Sequence, residues 1–173
     1  TTSQIAALTT AQVTALTQSQ VKALSSAQLA AIETVDFVAL LTAQLSYFSG
    51  TQLSGLTTNQ VSELTTDRLQ ILSGTQIAGF TTAQINNLGS NQVAGLTAAQ
   101  LGKLSSDQIN ALTTANLNLL TTDQIGDFNA SALAGAATAQ IAAIATSNVA
   151  GLTASQIKAM TTAQIQALSS AQV

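Results

Sequence analysis

TTAQVTAL TQSQVKAL SSAQLAAI, residues 9–32, is three octapeptides in a row, each with Ser or Thr at its first place, Gln at its fourth and apolar residues at its fifth and eighth. The same phase runs outward in both directions. The 173 residues divide into 21 octapeptides plus five residues without one insertion or deletion. Position 5 is Ile, Val, Leu or Phe in all 22 copies, from Ile5 to Val173, and position 8 is apolar in all 21 complete ones, Ala136 being the smallest. Ser or Thr fills position 1 in 16 copies, Gln fills position 4 in 17, and Ala or Gly fills position 7 in 14 of 21. A phase that never slips predicts one structural unit per octad, stacked many times.

Apolar residues three places apart share one face of a helix and lie on opposite faces of a strand. The spacing therefore predicts a short helix in each octad. The pattern S/T-x-x-Q is a capping box: the position 1 hydroxyl accepts from the backbone N–H at position 4, and the Gln side chain reaches back to the cap N–H. With position 1 as N-cap, the preceding position 8 residue stands at N′ and position 5 at N4, the two places of a hydrophobic staple. Leu8 would staple to Val13 and Leu16 to Val21. One continuous helix is excluded because eight residues turn about 80° beyond two full turns, so the apolar stripe would circle the rod. Thr, Val and Ile favour strands, which keeps a β-solenoid as the alternative.

Helices of about six residues do not survive alone in water, because nucleation costs more than two turns return. Each octad needs its neighbours, and the expected fold is an all-α solenoid of very short helices over a single array, residues 1–173. Small residues at position 7, such as Ala7, Ala15, Gly55 and Gly79, would let neighbouring backbones come close. The related octads SGTQLSGL (49–56) and SGTQIAGF (73–80) lie 24 residues apart and suggest three octads per superhelical turn. Because the chain begins on a repeat and stops partway through one, it reads as an excerpt of a longer array. Few long apolar side chains lie outside the two staple rows, so burial between chains is also expected.

Composition removes most other roles. Charged residues make up 6% and aromatic residues 3%, and His, Cys, Pro and Trp are absent. Without His or Cys the usual metal sites, thiol nucleophiles and imidazole acid/base groups are missing, and no Ser has a paired base. We expect no catalytic, cofactor or metal site and no enzyme activity. The net charge of −3 is spread thinly, and Lys22, Arg68, Lys103 and Lys158 are isolated, which argues against nucleic acid as partner. Residues 129–157 carry no charge, yet Thr138, Gln140, Thr146, Ser147 and Asn148 interrupt them, so no bilayer span is expected.

Several positions offer chemistry in principle. Asp123 and Asp127 stand four apart, as an acid/base pair or weak cation site would. Asp67, Asp107 and Asp123 all occupy position 3, where the helix dipole favours an acid. Glu63 and Asp127, at position 7, read as solvated, and Arg68 beside Asp67 as surface charge. ETVDFVAL (33–40) departs most from the pattern, with Glu33 at the cap and Asp36 in place of Gln. It reads as a variant cap facing water, with a metal or partner site as the alternative. Asn129-Ala130-Ser131 forms a single glycosylation sequon. Position 2 is Ser or Thr in 16 of 22 octads and is not used by the capping box, so it forms a candidate ordered hydroxyl row of the kind that binds ice, broken at Gln18, Gly50, Gly74, Ala98, Ala130 and Ala154.

The phrases TTAQVTAL and SSAQLAAI followed by ETVDFVAL resemble long proteobacterial surface or secreted proteins built from TTAQ-type octads, often labelled haem-utilisation or adhesion proteins. The resemblance covers the whole chain. It implies a bacterial, extracellular, very long repetitive protein whose partners are other copies of itself or further repeats, and in addition a cell surface or extracellular matrix. The haem label transfers no site, since His and Cys are absent and Met160 and Tyr47 are the sole residues of their types. The expected function is a structural filament, fibre or adhesin stalk. The alternative is a surface-binding module that presents its Thr, Ser and Gln face to carbohydrate, cell surface or ice.

Overall fold

A computed structural model describes residues 1–172; Val173, the fifth-place residue of the last octad, lies outside them. Among the described residues there are twenty α-helices and one 3-10 helix, Thr146–Gly151, and no strand. The short-helix reading is therefore correct and the β-solenoid alternative is not. Each octad through 161–168 starts one helix of four to six residues, and its cap chemistry explains where that helix begins. In the second octad Thr9 Oγ1 accepts from Gln12 N, Thr9 N donates to Gln12 Oε1 at 2.9 Å, and the helix Thr10–Thr14 follows. Leu41 and Gly89 have no hydroxyl, yet Gln44 and Gln92 still reach back to their N–H groups at 2.7 and 2.8 Å.

The end of each helix is equally regular. The N–H at position 8 donates to the carbonyl at position 5, as Leu24 N does to Val21 O at 3.3 Å and Leu56 N to Leu53 O at 3.1 Å. Two extended residues then turn the chain into the next unit: after the helix Gln18–Ala23 come Leu24 (φ −66°, ψ 132°) and Ser25 (φ −73°, ψ 161°). No residue among those described has a positive φ. Proline would fit those φ values, but at most of these places the position 8 N–H is bonded to position 5 and the position 1 N–H to the box glutamine, as at Leu24 and Ser25, and proline has none to give.

The chain forms two compact units, Thr1–Leu88 and Gly89–Val173, which meet at an octad boundary. Within the first, each helix lies against the one three octads on: Thr2–Ala6 against Ser26–Ala30, Thr10–Thr14 against Thr34–Phe37, Gln18–Ala23 against Thr42–Tyr47, and Gly50–Leu53 against Gly74–Ile77. The second unit repeats this rule, with Ser90–Ala94 against Thr114–Leu117 and Ser106–Ala111 against Ala130–Ala134. Three octads therefore make one superhelical turn in each unit.

Both staple rows form the core. Val21, Leu29, Phe37, Leu45, Leu53, Val61 and Ile77 at position 5 are buried, as are Ile32, Leu40, Phe48, Leu56, Leu64 and Leu72 at position 8. In the first unit the exceptions are Ile5, Leu8 and Leu16, in octads that have a turn on one side only. Burial of a leucine or isoleucine contributes roughly 1.5–3 kcal/mol, and one octad supplies two such side chains to a core that its neighbours complete. Leu53→Ala is expected to cost about 2–5 kcal/mol in chemical denaturation. Leu41, 55% exposed at a cap position, should tolerate alanine within about 0.5 kcal/mol.

Candidate functional site: the amide seam between turns

The most densely bonded polar feature is the side chain at position 4. Its Oε1 closes the capping box on its own helix, as the sequence indicates. Its Nε2 points the other way, into the turn beneath. Gln52 Nε2 donates to Val21 O at 2.9 Å and Leu24 O at 2.7 Å, 31 and 28 residues earlier. Gln76 does the same to Leu45 O and Phe48 O at 3.0 and 2.8 Å, and Gln84 to Leu53 O and Leu56 O at 2.9 and 2.7 Å. In the second unit Gln156 reaches Ile125 O and Phe128 O at 2.9 and 2.8 Å, and Gln164 reaches Leu133 O and Ala136 O at 3.0 and 2.7 Å. One amide thus holds the start of one helix and the end of another, where carbonyls are left over.

Burial follows from that double use. Gln44, Gln52, Gln60, Gln76, Gln84, Gln92, Gln100, Gln108, Gln156 and Gln164 are all buried. Gln4, Gln12 and Gln20 belong to the first turn of their unit, make the box bond alone and stay exposed. Gln124 and Gln140, which also bond to the turn beneath, are half-buried, so most of the box glutamines with such bonds are lost from the exposed face that the surface-binding alternative would use.

Five octads carry another residue in this slot. Asp36, Asn116 and Asn148 are shorter and meet the position 2 hydroxyl three octads back, while Asn148 Nδ2 also donates to Leu120 O. Asp36 Oδ1 accepts from Thr10 Oγ1, Asn116 Oδ1 from Ser90 Oγ at 3.3 Å and Asn148 Oδ1 from Thr122 Oγ1 at 3.2 Å. The expectation that Asp36 faces water is corrected: it is buried, because position 4 faces the seam. Arg68 is corrected likewise. It is half-buried in the slot, burial pulls its pKa below the ordinary arginine value, and its Nε and Nη2 make no hydrogen bond. Ala132 leaves the slot without an amide.

A second seam joins position 7 to position 2 of the octad three back, and here the close approach expected of small residues is present. A Cβ on Gly79 would fall 2.4 Å from Gly50 Cα, and one on Gly55 2.5 Å from Ser26 Cβ. In the second unit a Cβ on Gly151 would lie 1.9 Å from Thr122 O. Asn87 bridges the same seam with Nδ2 donating to Thr58 O at 3.0 Å. Ala7 and Ala15 are exposed, having no turn beneath. Position 2 lies in this seam: Ser26, Thr34, Thr58, Thr66, Ser106 and Thr122 are half-buried, whereas Thr42, Thr82, Ser90, Thr114 and Thr138 are exposed, so the hydroxyl row is uneven in its exposure.

The remaining candidates do not converge. Asp67, Asp107 and Asp123 stand in the first turns of their helices, exposed and next to helix N-termini, as the dipole reading requires. Asp123 and Asp127 lie at opposite ends of Thr122–Asp127. No group of three metal-ligating side chains occurs among the described residues. Asn129 spends its Oδ1 on capping Ser131 N and Ala132 N at 2.9 and 3.2 Å. Lys22, Lys103 and Lys158 are exposed. At the seam between octads five and eight, Glu63 stands over Thr34 without a hydrogen bond, and a groove of about 510 Å³ opens between Thr34, Val35, Val38, Asn59, Ser62 and Glu63. No helix among the described residues is long and apolar enough to cross a membrane.

Stacked one-octad helices joined by a repeated side-chain amide define a helical repeat protein whose unit is eight residues. Residues 29–66, 98–130 and 141–173 match the ALTTAQ repeat family, more than half of the chain, and the chain belongs to that family. Comparison with curated proteins gave no match.

The seam fixes the direction of two substitutions. Gln84→Glu keeps the acceptor for Thr81 N but turns a carboxylate oxygen toward two carbonyls, and should cost about 3–5 kcal/mol at pH 7. Those carbonyls raise the folded-state pKa of the new acid above about 4.3, so the folded state binds its proton more tightly. The loss is then greatest at neutral pH and shrinks as pH falls through the raised pKa toward the unfolded value. Gln12→Glu, with no turn beneath, should change stability by less than about 0.5 kcal/mol. Arg68→Gln replaces a half-buried guanidinium with the amide that the slot fits and is expected to raise the unfolding free energy, measured by chemical denaturation, by about 1–3 kcal/mol.

Proposed function

We propose that the protein is structural: its octads assemble into an extracellular filament, fibre or adhesin stalk on a bacterial surface, with no catalytic role. The observation that carries this reading is the identity of the turn-to-turn contact. The same amide recurs as the link, meeting the position 8 carbonyl and that of position 5 or 6, as at Gln52, Gln84, Gln124 and Gln156, so one turn can be laid on another without a special partner surface. The scarcity of charge supports self-association, because little desolvation cost opposes contact between nearly neutral surfaces. The resemblance to TTAQ-type surface and secreted proteins supports the bacterial, extracellular setting. In this reading the hydroxyls at position 1 serve as caps and the partners are further copies or further octads.

Negative-stain imaging with circular dichroism tests it on the purified chain. Helical minima and uniform fibres are expected, with stability falling gradually as whole turns are deleted. A monodisperse soluble particle that melts in one sharp step, independent of the number of turns, overturns it.

A second reading, a surface-binding module for carbohydrate or a cell surface, is favoured by the groove at Glu63. Thr34, Asn59 and Glu63 line it with polar side chains beside Val35, which is 68% exposed. In a glycan-binding screen this reading expects retention that Asn59→Ala and Glu63→Gln abolish; a screen without hits counts against it.

A further inference from the structure

We infer that residues 129–152, one whole superhelical turn, are a built-in yield point at which the second unit opens before its other turns. NASALAGA, ATAQIAAI and ATSNVAGL are three consecutive octads, and between them they lack most of the devices that hold the array elsewhere. Ala137 and Ala145 stand at cap positions with no side-chain hydrogen bond to the helix they precede. Ala132 occupies the seam slot and has no amide to donate. Ala136 fills the staple place that Leu, Ile, Phe or Met fills in every other complete octad. Gln140 closes no box, because Ala137 N donates to Asn110 Oδ1 at 2.7 Å instead. Its Nε2 reaches Asn110 O and Leu112 O only at 3.2 and 3.3 Å.

The last octad of this turn departs furthest. Thr146–Gly151 is the 3-10 helix, a geometry with poorer hydrogen bonds that often marks a hinge. Val149, its staple residue, is half-buried where Ile125, Leu133 and Ile141 are buried. Besides the bonds of Ala137 N and Gln140, Asn148 holds the turn down through Nδ2, which donates to Leu120 O at 2.5 Å, and Oδ1, which accepts from Thr122 Oγ1 at 3.2 Å, and Gly135 and Gly151 let the backbone sit closely on Ser106 and Thr122. Close approach keeps the turn in register, while the missing caps, amide and staple lower the cost of lifting it. The turns on either side are better equipped: Thr121, Thr153 and Thr161 all head complete capping boxes.

The weakness is concentrated in one turn, and opening three octads together frees the seam above and below without breaking a helix in the middle. Heat or tension is then relieved at 129–152 while 97–128 stays closed. This inference does not depend on the filament reading, since it concerns the second unit of a single chain.

Hydrogen exchange of the full chain, read by mass spectrometry, tests it. Amides of 129–152 are expected to exchange at least as fast as those of 153–168, although the latter lie nearer the chain end, and roughly tenfold faster than those of 97–128. Ala137→Thr with Ala145→Thr restores two caps and should slow exchange in 129–152 by about fivefold per cap; Ala132→Gln, made separately, tests the amide. Ala154→Ser, at a position with no bonding role, should change nothing. Protection that falls smoothly from 97 to 168 is simple fraying and overturns the inference, as does a cap-restored chain whose exchange in 129–152 is unaltered.

Discussion

A primary amide carries an acceptor at one end and two donors at the other, and the stack depends on both ends being used at once. Oε1 accepts from the cap N–H three residues back, and Nε2 donates to carbonyls 28 and 31 residues back, as at Gln52. Only one orientation of the group satisfies both sides, so the side chain is fixed without being packed by bulky neighbours. Glutamate would satisfy the box equally well but would set an acceptor against acceptors in the seam. Asparagine and aspartate are shorter, and the structure shows the consequence: their Oδ1 accepts from the position 2 hydroxyl, while Asn148 still donates to Leu120 O. The preference for Gln over Glu, which capping chemistry does not explain, is a property of the contact between turns.

The same bond accounts for features of composition that otherwise look arbitrary. A short helix leaves most of its N–H and C=O groups unpaired by its own backbone, and in a stack of such helices many of those groups would be buried. The cap hydroxyl, the box amide and the bond from position 8 to position 5 answer the ends of each helix locally; Nε2 answers the carbonyls that remain at the interface. Neutral polar groups do this work, so the chain needs few charges and its interior holds amides rather than ion pairs. The few phenylalanines, Phe37, Phe48, Phe80 and Phe128, are buried in the same staple rows as the leucines and isoleucines.

Much of the unit was legible in the octad itself, and the relation between units was not. Thr9, Gln12, Leu8 and Val13 lie within six residues of one another, so cap, box and staple follow from local spacing. The seam links residues 26 to 31 apart, and a repeat without slips is compatible with any whole number of octads per turn. Only SGTQLSGL and SGTQIAGF hinted at three, and the structure gives that hint a cause: Gly79 of the second lies on Gly50 of the first. Asp36 and Arg68 were read as surface groups because the third position of an isolated helix usually faces water. Here that position faces another turn, and nothing in the octad says so.

A bond that is both local and between turns also limits how the array can vary. Position 3 faces outward and carries Ser, Ala, Val, Thr, Asn and Asp with little consequence, whereas position 4 cannot change without affecting two helices. Where it changes to Asp or Asn, the side-chain oxygen has a small hydroxyl at position 2 as partner across the seam, as at Thr10, Ser90 and Thr122. Position 7 is coupled to position 2 through the same neighbour, and the pair shares one space: Gly79 admits Gly50 at backbone contact, while Glu63 above Thr34 holds a groove open. Tightness between turns is therefore set by single residues acting in pairs three octads apart. An array of nearly identical octads can carry firm turns, an open groove and a weak turn without any change in the length of its repeat.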